Sequence, residues 1–134
     1  MVFVDITAIP VASDGRAAYT DFSRRMAEVY LDHGAIRVTD HWQAPDPVDQ
    51  GDFHADGATY EPGELRDFPA VMGSSASEAI VVSITEWPSR AARDAGVTAA
   101  TSDARVTATL DETPVFDGSR VVASSFETTM DVRR

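Results

Sequence analysis

The sequence predicts an α+β domain of ferredoxin-like βαββαβ build, a four-stranded antiparallel sheet with both helices on one face. Three observations carry this. Apolar residues switch between a period of two and a period near 3.6 in the order strand, helix, strand, strand, helix, strand. Capping and turn residues stand at the junctions between those segments. The length, 134 residues, suits one domain (1–134) with one sizeable core.

The first strand runs from about Phe3 to Val11, with Pro10 near its end. Ser13 or Asp14 is placed to cap the helix that follows. From Arg16 to His33, the residues Tyr19, Phe22, Met26, Val29, Tyr30 and His33 fall on one helical stripe. Gly34 sits where a left-handed C-terminal residue is wanted, and a second strand, Ala35 to Trp42, begins at once. Residues 43 to about 69 form a long acidic loop, rich in Pro, Gly and Asp; loops of this length are usually functional or mobile. Phe68 to Met72 reads as a short additional strand. A Val- and Ile-rich core strand covers Ala79 to Trp87. Ser89 caps a helix from Arg90 to about Thr101, and Asp103 caps a shorter helical piece reaching Leu110. Asp117-Gly118 makes a turn into the last strand, Arg120 to Thr129.

Composition narrows the function classes. The net charge is −11, there is no Lys, and all 11 basic residues are Arg. Such a chain lacks the basic footprint of a nucleic-acid binder, and it is repelled by anionic membrane surfaces. No apolar run approaches the roughly 20 residues of a membrane span. The first residues read as a strand and lack a basic leader, so the expected location is the cytoplasm. Without Cys, disulfides, thiolate metal sites and thiol nucleophiles are excluded. The acidic surface reads most simply as a solvated one that maintains solubility.

Strand residues alternate between faces, which sorts them into two sets. Val4, Ile6, Ala8, Ile36, Val38, Ile80, Val82, Ile84, Val121 and Ala123 are uniformly apolar and are expected beneath the helices. The opposite set mixes aromatic and polar residues: Phe3, Asp5, Thr7 and Ile9; Arg37, Thr39 and His41; Val81, Ser83, Thr85 and Trp87; Arg120, Val122, Ser124 and Phe126. That mixture suits either the inside of a dimer enclosing a small cavity or a plain dimer interface with scattered polar pairs.

Candidate site residues come from this second set. Arg120 beside Asp5 is either an anchor for a carboxylate or enolate ligand, with Asp5 orienting it, or a structural ion pair at the interface, the commoner case. His41 is a candidate general base, because imidazole as a side-chain type changes charge near neutrality, or a ligand for haem iron or a divalent metal. Trp42 and Trp87 end adjacent strand segments and are candidate walls of a pocket mouth, with Thr7, Ser83 and Ser124 as further ligand contacts. Arg90 and Arg93 read as stabilising the start of the second helix and are given no catalytic role. His33 and His54 show no ligand spacing, and Asp52 to Gly57 fails as a calcium loop, so neither metal nor cofactor is expected. No phosphate-cradling glycine loop or Ser-His-Asp elbow is present.

Several segments resemble the YbaA-like family of bacterial proteins. They are Phe116-Asp117-Gly118-Ser119-Arg120 running on to Phe126-Glu127, and Trp87-Pro88-Ser89-Arg90-Ala91-Ala92-Arg93-Asp94-Ala95. Asp103-Ala104-Arg105, His33-Gly34-Ala35-Ile36, Val4-Asp5 with Pro10-Val11, and Asp40-His41-Trp42 extend the match. Departures are His41 where the family has Cys, Ile6-Thr7 for a Gly-Phe pair, and a longer loop after Trp42. The resemblance implies a dimeric α+β barrel, a homodimer whose two sheets face each other. It implies no reaction, because that superfamily holds cofactor-independent monooxygenases, isomerases, haem proteins and domains without known activity. Two functions follow as expectations. One is a cavity in the dimer that binds or converts a small aromatic or enolisable molecule, monooxygenase- or isomerase-like. The other is a non-enzymatic dimeric domain with a structural or stress-related role.

Overall fold

The computed structural model describes residues 2–134. Its elements are β1 (Phe3–Ala12), α1 (Arg16–Asp32), β2 (Arg37–Trp42), α2 (Phe68–Met72), β3 (Glu78–Trp87), α3 (Arg90–Thr101), α4 (Ala104–Thr107) and β4 (Val122–Glu127). The sheet order is β2-β3-β1-β4, with every neighbouring pair antiparallel. β1 and β2 therefore run parallel with β3 between them, and β3 and β4 run parallel with β1 between them. This is the interleaved βαβ arrangement the element order predicts. Among the described residues no helix is long and apolar enough to cross a membrane.

Local chemistry accounts for most boundaries. The α1 stripe buries Tyr19 and Val29 and half-buries Phe22, Met26 and Tyr30. Gly34 ends the turn after α1 at φ +107°, a region open to glycine and costly for other residues. The Ser89 hydroxyl accepts from the Ala92 amide at 3.1 Å, and the Asp103 carboxylate accepts from the Arg105 amide at 2.9 Å, capping α3 and α4.

Three boundaries differ from expectation. Phe68–Met72 is a helical turn, not a strand: Asp67 accepts from the Ala70 amide at 2.8 Å, and Pro69 stands in the first turn, where its missing N–H costs nothing. Neither Ser13 nor Asp14 caps α1, because Ser13–Gly15 forms a 3-10 turn with no side-chain cap. Arg120 precedes the last strand, held in a 3-10 turn (Gly118–Arg120) that Asp117 caps by accepting from the Ser119 amide at 3.0 Å.

The two faces of the central strands are the reverse of the sequence expectation. Asp5 meets Arg93 of α3, Ile9 and Val81 pack with Tyr19 of α1, and Trp87 packs against Tyr30. Phe3, Asp5, Thr7, Ile9, Val81, Ser83, Thr85 and Trp87 thus lie beneath the helices. Val4, Ile6, Ala8, Ile80, Val82 and Ile84 point to the open face. The outer strands match expectation within their bounds: Val38 and Ala123 register with Thr85 and Thr7 on the helix side, and Arg37, Thr39, His41, Val122, Ser124 and Phe126 point away. Ile36, also expected beneath the helices, precedes β2 and is 54% exposed. The mixed set survives under the helices because its ends are apolar. Ile9 (2% exposed), Val11 (1%) and Val81 (1%) seal one end and Trp87 (0%) the other. The polar middle is left as the floor of a cleft.

Helix α3 approaches the sheet closely over Trp87. A Cβ on Gly96 would lie 2.3 Å from the Trp87 ring and 2.6 Å from the His33 carbonyl oxygen. On the other face, the segment between β2 and α2 leans over the end of β3. Gln43 exchanges hydrogen bonds with the Ile80 backbone, and Phe53, Phe68 and Pro69 border a recess of about 290 Å³ beside His41.

Candidate functional site

β1 runs through the middle of the sheet and presents Asp5 toward the helices, between Thr85 of β3 and Ser125 of β4. Four donor contacts converge on this carboxylate. Ser125 Oγ donates to Oδ1 at 2.5 Å, Trp87 Nε1 donates to Oδ2 at 3.2 Å, and Arg93 Nε lies 3.0 Å from both oxygens. A carboxylate so surrounded is fixed in position and aimed, its oxygens engaged by these donors. Asp5 therefore serves as the anchor of Arg93.

Arg93 in turn donates from Nη1 to Asp94 at 3.2 Å, while its Nη2 makes no hydrogen bond among the described residues. The Asp5 hydrogen bond is the main cause holding the guanidinium pKa above its ordinary value. Tyr30 leans over the group, its ring 6.2 Å from Trp87 and nearly perpendicular to it. Burial raises the Tyr30 phenol, the Asp5 charge raises it further, and Arg93 works against both.

Between the sheet and the helices lies a cleft of about 590 Å³. Its floor is polar, made by Asp5, Thr7, Ser83, Thr85 and Ser125. Its roof is largely apolar, with Tyr19, Phe22, Met26, Tyr30 and Phe116. Phe116 meets Tyr19 at 5.8 Å and Phe22 at 5.7 Å between ring centres, both edge to face. Ser83 also donates to Asp40 of β2. The Tyr19 phenol is pushed up to about 12, by burial first and then by the Asp40 charge. The arrangement is a half-open slot with hydroxyl groups beneath, aromatic rings above and one guanidinium at the side.

The residues singled out from sequence divide in two. Asp5, Thr7, Ser83 and Trp87 come together, but under the helices and not on an open dimer face. Trp87 is fully buried and contributes its indole N–H to Asp5, so it is no wall of a pocket mouth. Arg120 is not beside Asp5: its Nη1 pairs with Glu78 at 2.6 Å, tying the turn before β4 to the start of β3. Ser124 borders the cleft, yet alternation turns its side chain away, and Ser125 is the one that reaches Asp5. His41 points to the other face, where Nε2 meets Thr39 Oγ1 at 3.2 Å. Trp42 registers with Val81 at the far end of β3 from Trp87, and it packs on Tyr19 at 6.3 Å, so the two indoles do not stack.

Sequence reasoning missed Arg93, Tyr30 and Ser125. A signal for Arg93 was available: it shares a helical stripe with Val97 and the buried Ala100, and a charged residue on a buried stripe needs a partner.

Comparison with known proteins agrees with this architecture. The family model described as "Protein of unknown function (DUF1428)" matches residues 2–118. The uncharacterized protein YbaA of Escherichia coli K12 is 28% identical over 131 residues, covering 98% of this chain and 99% of YbaA. Among solved structures, Rv0793 from Mycobacterium tuberculosis superposes with a TM-score of 0.51 at 10% identity, over 99% of this chain and 100% of that one. A dimeric ferredoxin-like protein from an uncultured marine organism gives 0.52 at 14% identity, over 98% of each chain. At such identities the structural likeness speaks to the fold alone.

Proposed function

The chain belongs to the DUF1428 family, and we propose that it is a homodimer holding a small aromatic or enolisable molecule in each protomer's cleft. The observation that carries the reading is the pairing of a hydroxyl-lined floor with an aromatic roof around about 590 Å³. Small-molecule sites of roughly 300–1,000 Å³ have this composition, apolar walls with a few placed polar groups. Binding comes first in this reading. An isomerase- or monooxygenase-like conversion needs an acceptor for a proton, and Asp5, surrounded by four donor contacts, is poorly suited to that role.

The dimer rests on the open face of the sheet. Val4, Ile6, Val82 and Ile84 form an apolar surface there, flanked by Val122 (58% exposed) and Phe126 (48%). A surface of this kind is expected to be covered, and the similar protein from a marine organism is dimeric.

Thermal-shift titration with naphthalenes, quinones and substituted benzoic acids tests the cleft. A ligand that prefers the folded state raises the melting temperature with concentration. Ala123→Phe, which fills the cleft from β4, is expected to abolish the rise and leave the circular dichroism unchanged. No shift with any compound, or a shift indifferent to Ala123→Phe, would sink the reading.

A further inference from the structure

We propose that the molecule held in the cleft is a neutral aromatic carbonyl compound whose oxygen accepts a hydrogen bond from Arg93 Nη2. The proposal rests on the cleft reading above and adds the chemistry of the head group. Asp5 grips Arg93 through Nε, and Asp94 takes Nη1. Nη2 is the terminal nitrogen left without a partner among the described residues. The side chain is 31% exposed and Arg93 lines the cleft, so this donor is partly desolvated at the border of the space a ligand would fill. An unfilled donor at such a site selects an acceptor.

Charge decides which acceptor. Around the guanidinium, Asp5, Asp94 and Glu127 outnumber Arg90 and Arg93, and the whole chain carries −11. That field opposes a carboxylate or sulfonate. An ammonium group gains little at Asp5, whose oxygens already meet four donor contacts. A carbonyl oxygen takes the hydrogen bond without importing charge. The edge-to-face cluster of Tyr19, Phe22 and Phe116 supplies the wall for a planar ring attached to it.

Four naphthalenes of similar shape test this on the full chain by calorimetric or ligand-detected titration: 2-acetonaphthone, 2-ethylnaphthalene, 2-naphthoate and 2-naphthylmethylammonium. The ketone is expected to bind about tenfold more tightly than the ethyl compound, the difference one hydrogen bond to a charged donor makes. It is also expected to bind more tightly than either ion. Arg93→Met should erase the gap between ketone and ethyl compound. Should that variant fail to fold, the carbonyl stretch of ¹³C-labelled ketone reads the same bond in the unaltered protein, as a shift to lower frequency on binding. Equal binding of ketone and ethyl compound, tightest binding by either ion, or an unshifted stretch overturns the carbonyl assignment and leaves the cleft reading standing. Binding by none of the four overturns both.

Discussion

Glu78 and Arg120 show how single side chains fasten the ends of this sheet. The Arg120 hydrogen bond, with the Ser75 amide donating at 2.9 Å, lowers the Glu78 carboxyl from 4.5 to about 2. Between those values the folded chain keeps Glu78 ionised while the unfolded chain takes up a proton. Stability from this pair is therefore complete above about pH 4.5 and is lost as pH falls toward 2. Asp103, Glu112 and Asp117 are shifted the same way by Arg105, Arg25 and Ser119, so the acid transition is shared. Glu78→Gln is expected to lower the melting temperature at neutral pH and to flatten, not remove, its fall between pH 4.5 and 2; an unchanged slope would refute the assignment. At this scale the sequence named Arg120 and Asp5 correctly as residues with something to hold, but paired them with each other. The true partners lie 42 and 88 positions away along the chain, a separation no local pattern reports.

Among the elements, α3 carries the tightest constraint. Glycine inside an exposed helix is usually worth replacing, since alanine is better by about 1 kcal/mol. At Gly96 the added methyl would collide with the fully buried Trp87 and a backbone carbonyl. Gly96→Ala is expected to cost a net of about 1–3 kcal/mol in urea unfolding, as overpacked cores do. It should also disturb ligand binding, because Trp87 holds Asp5 and Asp5 holds Arg93. A more stable alanine variant would contradict the packing. Element ends were legible where the chemistry is local: Ser89, Asp103 and Gly34 each do what their residue type predicts. Phe68–Met72 was misread because five mostly apolar residues satisfy either period. Only the Asp67 cap and Pro69 favour the helix.

For the whole molecule, the open apolar face sets the expectation. Ile84→Arg, in the middle of that face, is expected to shift sedimentation from dimer to monomer and to remove the concentration dependence of the melting temperature. A variant that still sediments as a dimer would place the interface elsewhere. Element order and alternation along each strand were determined by the sequence itself, because caps, turns and side-chain periods act over a few residues; with them came the ferredoxin-like fold. Which face of β1 and β3 the helices cover was decided only by the tertiary structure. Alternation separates two faces without saying which one a crossover helix packs on. That choice depends on register between strands far apart in sequence, and on what covers the other side. The same choice moved Asp5 from an open surface to the floor of a cleft, where Arg93 meets it.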